Sequence, residues 1–264
     1  MCTVTWLLQS TGYRLFFNRD ELKTRGIARP PAAGELNRVK YIAPADADAG
    51  GSWIGVNEFG VAPAILNYYH AGGAKTAPGK DYISRGVLLK SLLDCREAAE
   101  ALRRLQQERL ENYRPFILLI FAPAAPPLAC TWNAGKGGLK IERAAACPLS
   151  SSSFDSREVI EGRITRFRER FSGARPLTAE MLRSYHRSHE PEPGPYSVCM
   201  HREDAHTVSY SEIGVATDTI EFRYVPGSPC SHSFLAPITL PRKWSVIPQR
   251  GIGVNLSKKS PQRR

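Results

Sequence analysis

Apolar positions in this chain recur at two periods, and the switches between them outline its elements. Thr3-Val4-Thr5-Trp6-Leu7-Leu8 is rich in β-branched and aromatic residues, Ser10-Thr11-Gly12 supplies a turn, and Tyr13-Arg14-Leu15-Phe16-Phe17 returns. That pattern predicts a β-hairpin. A second hairpin is expected from Ser52-Trp53-Ile54-Gly55-Val56 and Val61-Ala62-Pro63-Ala64-Ile65-Leu66, with Gly60 between them suited to a turn position of positive φ. The period then changes. Over residues 84–108, Val87, Leu88, Leu92 and Leu93 recur at helical spacing, Asp94 is placed to cap a second helix, and Ala98, Ala101, Leu102 and Leu105 continue the repeat. Strand-like runs follow at 115–121, 129–133 and 139–143, the last two joined by Gly135-Lys136-Gly137-Gly138. Helices are expected over 156–171 and over 178–187, the latter capped by Thr178, and strands over 196–200, 208–216 and 219–225.

This order of strands, helices, strands, helices and strands lacks the strict alternation of a parallel doubly wound sheet. Sheets packed together with helices grouped outside them, an α+β arrangement, fit better. No internal repeat interrupts the pattern. The least structured stretches are expected at 43–51, at 69–80 and from about Leu235, which divides the chain into one domain over 1–234 and a tail over 235–264.

Composition narrows the class. At 264 residues, with 42% hydrophobic and 23% charged positions, the chain has the makeup of a folded globular protein. No apolar run approaches the roughly 20 residues of a membrane span. The net charge of +11 is concentrated at the end: residues 241–264 hold seven basic and no acidic side chains, and removing those seven leaves +4. The charge therefore describes a solvated basic tail, and without a zinc-finger, RRM or KH pattern it does not point to nucleic acid. Six cysteines, none in a CxxC pair, are too sparse for a disulfide scaffold. The start, Met1-Cys2-Thr3-Val4, has neither the basic region nor the cleavage site of a secretory signal, and Cys2 excludes myristoylation. A cytoplasmic location with reduced thiols is expected.

Cys2 is the most informative position. Removal of Met1 would give it a thiol and a free α-amine, and an α-amine with a pKa of about 7.7–8 can take the proton of its own side chain. A hairpin turning near Thr11-Gly12 sets Cys2 against the Asp20-Glu21 end of the returning strand. There Asn18-Arg19-Asp20-Glu21 forms a dense polar cluster, with Arg19 and Glu21 on one face and Asn18 and Asp20 on the other. An arginine near a thiol favours the thiolate, and a carboxylate can hold a protonated amine.

Met1-Cys2, Phe17-Asn18-Arg19-Asp20-Glu21, Gly50-Gly51-Ser52-Trp53-Ile54-Gly55, Ala64-Ile65-Leu66-Asn67-Tyr68 and Ser197-Val198-Cys199-Met200-His201 together resemble the NRDE family, whose animal members are the transport and Golgi organisation proteins. The resemblance implies an N-terminal nucleophile hydrolase fold, a four-layer αββα sandwich similar to bile-salt hydrolases and penicillin V acylases. It implies Cys2 as nucleophile and base, Arg19 in contact with the thiol, Asp20 orienting the α-amine and Asn67 donating to the oxyanion. Asn18, Glu21 and Trp53 would support the site. Two positions depart from the family pattern: Ser151 stands where an asparagine is usual, and Val208 where an arginine is usual, with Arg202 nearby in sequence. The implied activity is cleavage of a small linear amide with an apolar acyl part, needing no cofactor. The alternative is a non-enzymatic protein of the same fold that binds or traffics haem, lipid or acyl-CoA.

Other candidate chemistry is set aside on spacing. His186, His189, Cys199, His201 and His206 match no standard zinc pattern, and Pro191, Pro193 and Pro195 interrupt them, so no metal site is expected. Gly135-Lys136-Gly137-Gly138 is not followed by Ser or Thr and opens no helix, which makes it a turn and not a P-loop. The serines at 150–153 lie outside any GxSxG elbow and read as a loop. Trp6, Phe16, Phe17, Trp53, Phe59, Tyr68 and Tyr69 are core candidates, some of which would line an apolar pocket beside Cys2.

Overall fold

A computed structural model describes residues 1–69, 81–134, 137–144, 146–173 and 176–244. The unstructured stretch expected at 69–80 lies outside these beyond Tyr69, as does the basic tail from residue 245.

The first hairpin joins β1 (Cys2–Leu8) to β2 (Tyr13–Leu22). Gln9 and Gly12 exchange backbone hydrogen bonds of 2.9 and 3.4 Å around Ser10-Thr11, and this tight turn sets Cys2 opposite Arg19, slightly before the Asp20-Glu21 end expected. β3 (Arg29–Leu36) and β4 (Val39–Ala45) turn through Asn37 and Arg38, both at positive φ, and pair with the short β5 (Val56–Asn57) in a three-stranded sheet. β4 reaches into the segment expected to lack structure from residue 43. The second expected hairpin is reduced to an isolated bridge between Ile54 and Ala64, because β5 pairs with β4.

β6 (Ala62–Asn67) precedes α1 (Arg85–Ser91) and α2 (Ala98–Gln107). Ser84 caps α1, its hydroxyl accepting from the Gly86 N–H. Asp94 caps nothing: α2 begins after Glu97, and the Asp94 carboxylate accepts from Asn37 Nδ2 at 2.7 Å and pairs with Arg104. β7 (Phe116–Phe121), β8 (Leu128–Trp132) and β9 (Leu139–Arg143) extend β6 into a four-stranded antiparallel sheet. β10 (Leu149–Ser151), expected as a serine-rich loop, is a strand paired with β1. Then come α3 (Ser156–Arg170) and α4 (Ala179–His186), the latter capped by Thr178 as expected. Residues 196–200 are not a strand; β11 (Ala205–Val215), β12 (Thr219–Val225) and β13 (Ile238–Pro241) complete a six-stranded sheet in the order β10-β1-β2-β11-β12-β13.

Strand alternation gives each sheet two apolar faces. Val4, Leu15, Phe17, Ile213 and Phe222 of the six-stranded sheet meet Ala62, Ala64, Leu66, Leu119 and Phe121 of the four-stranded one. On the outer face of the large sheet, Phe16, Tyr210 and Val225 pack on Phe167, Leu182 and Tyr185 of α3 and α4. On the outer face of the smaller sheet, Ile65, Leu118 and Ile120 pack on Leu88, Leu89, Ala101 and Leu105 of α1 and α2. The result is four layers, αββα. No helix among the described residues is long and apolar enough to cross a membrane.

Candidate active site

Cys2 opens β1 between two neighbours, facing Arg19 on β2 and Ser151 on β10. It is buried and lines a cleft of about 250 Å³ between the two main sheets. Asn67 reaches the same cleft from the end of β6, in the facing sheet, and its Nδ2 donates to the Tyr69 hydroxyl at 2.8 Å. Glu21, Trp53 and Asp20 also line it.

Arg19 is held from two sides. Its guanidinium lies 4.3 Å from the Trp53 ring centroid, and Nη2 donates to Asp46 Oδ2 at 2.6 Å. Asp46 also accepts both arms of Arg25, at 3.0 and 2.9 Å, and the backbone N–H of Asp48 and Ala49. Those donors hold its carboxyl below the ordinary range despite partial burial. Asp46 is a site residue that sequence reading missed, lying in a segment expected to be unstructured. The glycines of the Gly50-Gly51-Ser52-Trp53 motif have a mechanical role here. A Cβ on Gly51 would come within 2.4 Å of the Gly86 carbonyl carbon, so only glycine lets this segment between β4 and β5 pass the first turn of α1.

Asp20 projects from the opposite face of β2, toward α3. Its Oδ1 accepts from Thr207 Oγ1 at 2.7 Å, while Oδ2 is buried without a hydrogen bond, 3.8 Å from Arg163 Nη1. Arg163 itself is fully buried, donating to Thr3 Oγ1 and to the Pro195 and Ser197 carbonyls, and burial lowers its pKa from the ordinary value. The chain start is tied to the same strand: the Met1 amine donates to the Asp20 carbonyl at 3.0 Å, and Asp20 N–H donates to the Met1 carbonyl at 2.9 Å. Ser151 is buried beside Cys2 with its hydroxyl unpartnered.

With Met1 in place the Cys2 thiol is not activated. Burial pushes its pKa up to about 11, against the lowering pull of the nearby N-terminal charge and Arg19. Met1 is itself buried, its side chain packed with Met200 and Ala205.

Several expected contributors lie elsewhere. Asn18 faces the helices: its Nδ2 donates to the His186 and Val198 carbonyls, both at 2.9 Å, and it fastens α4 to the sheet without reaching Cys2. Arg202 pairs with Asp204 at 2.8 Å and stacks on Phe154, so it does not replace the arginine absent at Val208. Val208 sits at a β-bulge between Thr207 and Ser209 and faces a separate pocket behind Arg19. Of the aromatics, Trp53 and Tyr69 line the cleft; Trp6 packs on Phe121, and Phe16 and Phe17 are core residues on opposite faces of β2. The cleft is accordingly more charged than the apolar pocket expected, with Arg19, Arg25, Arg85 and Arg114 on its walls.

The histidines and cysteines require a correction as well. His186 is buried against Thr5 and Asn18, yet His189, Cys199, His201 and Cys230 converge, their potential ligand atoms all within 4.8 Å of one another. Spacing along the chain concealed this, because Cys230 comes from beyond β12.

A family model, Transport and Golgi organisation 2, matches residues 1–212. No curated protein sequence matches the chain. Among solved structures, an N-acylethanolamine-hydrolyzing acid amidase ortholog from Caenorhabditis elegans is similar at 12% identity and a TM-score of 0.54, covering 81% of this chain and 92% of its own. A mutant conjugated bile acid hydrolase from Clostridium perfringens is similar at 13% identity and a TM-score of 0.51, covering 93% and 97%. Such likeness establishes the fold, the αββα sandwich of N-terminal nucleophile hydrolases.

Proposed function

We propose that this chain, which belongs to the Transport and Golgi organisation 2 family, is an N-terminal-cysteine amidohydrolase that cleaves a small linear amide through an acyl-thioester. The observation that carries the reading is the convergence of Cys2, Arg19 and Asn67, from two different sheets, on one cleft. The names of the similar structures, a bile acid hydrolase and an acid amidase, lend support to hydrolysis as the reaction class.

Loss of Met1 frees the Cys2 α-amine, which accepts the thiol proton. Sγ then attacks the amide carbon, and the carbonyl oxygen takes up negative charge facing Asn67 Nδ2. Collapse breaks the C–N bond, the α-ammonium proton passes to the leaving amine, and an acyl-thioester remains. Water gives a proton to the same α-amine, attacks the thioester carbon and releases the acid, returning the proton to sulfur. Asp20 Oδ2, buried without a hydrogen bond, is suited to hold the ammonium form. Arg85 and Arg114 form no ion pair among the described residues. A substrate with an anionic group would fill that gap, which favours an acidic amide over haem or a wholly apolar cargo.

The test combines terminal mass with turnover. The purified chain should begin at Cys2, hydrolyse members of a panel of carboxylate-bearing N-acyl amides, and lose that activity in Cys2→Ala with its fold intact. Asn67→Ala should cost on the order of 10²–10³ in kcat. Turnover equal in Cys2→Ala, or Met1 retained in active protein, overturns the reading.

A further inference from the structure

We infer that His189, Cys199, His201 and Cys230 form a structural zinc site that binds the loop after α4 to the turn after β12. The topology explains how such distant residues meet. β11 and β12 are antiparallel neighbours, so the segment entering β11 and the segment leaving β12 emerge at the same end of the sheet. Cys199 and His201 lie on the first segment, Cys230 on the second, and His189 follows the end of α4.

The distances fit the ion. With Zn–S of about 2.3 Å and Zn–N of about 2.0–2.1 Å, a tetrahedral centre separates a sulfur from a nitrogen ligand by about 3.6 Å. His201 Nε2 lies 3.6 Å from Cys199 Sγ and 3.4 Å from Cys230 Sγ. The His189 and His201 rings stand 5.0 Å apart and 75° to each other, so they do not stack. A second, independent observation points to a missing partner: His189 Nε2 is buried and makes no hydrogen bond. Two thiols and two imidazoles are donors that zinc prefers, and all six cysteines of the chain are unpaired.

Four protein ligands close the coordination shell, which marks the site as structural and leaves no position for water or substrate. The surrounding backbone holds the ligands in advance. Cys199 N–H donates to the Ser188 carbonyl at 3.0 Å, and the Ser197 hydroxyl donates to the Cys199 carbonyl at 2.8 Å. Met200, between two ligands, packs on Met1, and its N–H donates to the Thr207 hydroxyl that in turn donates to Asp20. The ion would therefore stiffen the wall behind the chain start. The inference does not depend on the amidohydrolase reading.

The experiment is metal analysis of the full chain purified under reducing conditions, followed by chelation and titration with Co²⁺ alone. One zinc per chain is expected, and cobalt should give thiolate charge-transfer bands with the d–d intensity of a tetrahedral site. Cys230→Ser, at an exposed position, and His189→Ala should each weaken cobalt affinity at least about tenfold, whereas Cys147→Ser should not. No cobalt–thiolate bands in the wild-type chain, or bands undiminished in both ligand variants, would overturn the assignment. So would a Cys199–Cys230 disulfide that persists in freshly reduced protein.

Discussion

Full burial disfavours a second, charging proton on His186. Its Nε2 meets Thr5 Oγ1 and its Nδ1 meets Asn18 Oδ1, both at 2.9 Å, inside the layer between α4 and the large sheet. Burial first, then the charge of Arg163, pushes its pKa down from the ordinary 6.5 to about 3. A group whose folded pKa is depressed in this way is protonated more readily in the unfolded chain, so stability falls as pH drops from 6.5 toward 3 and is fully present above that window. Urea midpoints should hold steady above pH 6.5 and lose on the order of a few kcal/mol of stability on acidification. In His186→Gln this part of the slope should vanish, and parallel slopes for the two chains would refute the argument. Sequence reading had half of this: strand alternation separates Asn18 from Arg19. It could not show that α4 would bring His186 onto the Asn18 face, since that contact joins residues 168 positions apart.

Elements meet where small residues permit it, and the crossing of α1 with the segment at Gly51, between β4 and β5, is a tight case near the cleft. Ser52 N–H donates to the Gly86 carbonyl at 3.0 Å, holding the two backbones in contact. A methyl at Gly51 would sit 2.4 Å from Gly86 C and 2.6 Å from Val87 N, and neither is a side chain that can turn aside. Gly51→Ala should therefore lower stability by about 1–3 kcal/mol, the usual cost of overpacking, while Gly173→Ala, at an open position, should stay near wild type. Thermal melts of the two variants decide it, and equal melting temperatures would remove the crossing from the account. The motif was visible in the sequence, but its reason was not, because α1 lies more than thirty residues later. Elements with a strong period were legible: the Thr178 cap, the strands of the four-stranded sheet and β12 lie close to their expected places. β3 and β4 were not, since β3 carries Pro30 and Pro31 and is mostly exposed, leaving no apolar alternation to read.

At the scale of the molecule, the folded unit extends beyond the boundary read from the sequence. Its basic end was expected to begin as a tail at about residue 235, yet β13 adds an edge strand to the six-stranded sheet, pairing Ile238 with Phe222 and Pro241 with Thr219. Leu240 is buried in the central core, Arg242 Nη1 donates to the Thr11 and Ala216 carbonyls, and Lys243 pairs with Glu58 at 3.0 Å. The first two charges assigned to the tail are thus fastened to the first hairpin turn, to the β11–β12 turn and to the residues after β5. Four residues with two large apolar side chains, Ile238 and Leu240, are too short a signal to separate from a linker, which is why charge counting absorbed them. The strand's worth follows from its contacts. Burying Leu240 contributes about 1.5–3 kcal/mol, and the ladder bonds together with those of Arg242 add on the order of 1 kcal/mol each. A chain ending at Trp244 should therefore be more stable than one ending at Pro237 by about 3 kcal/mol or more, and Leu240→Ala alone should recover much of that difference. Urea denaturation of the three proteins makes the comparison, and equal midpoints for the two truncations would return β13 to the tail.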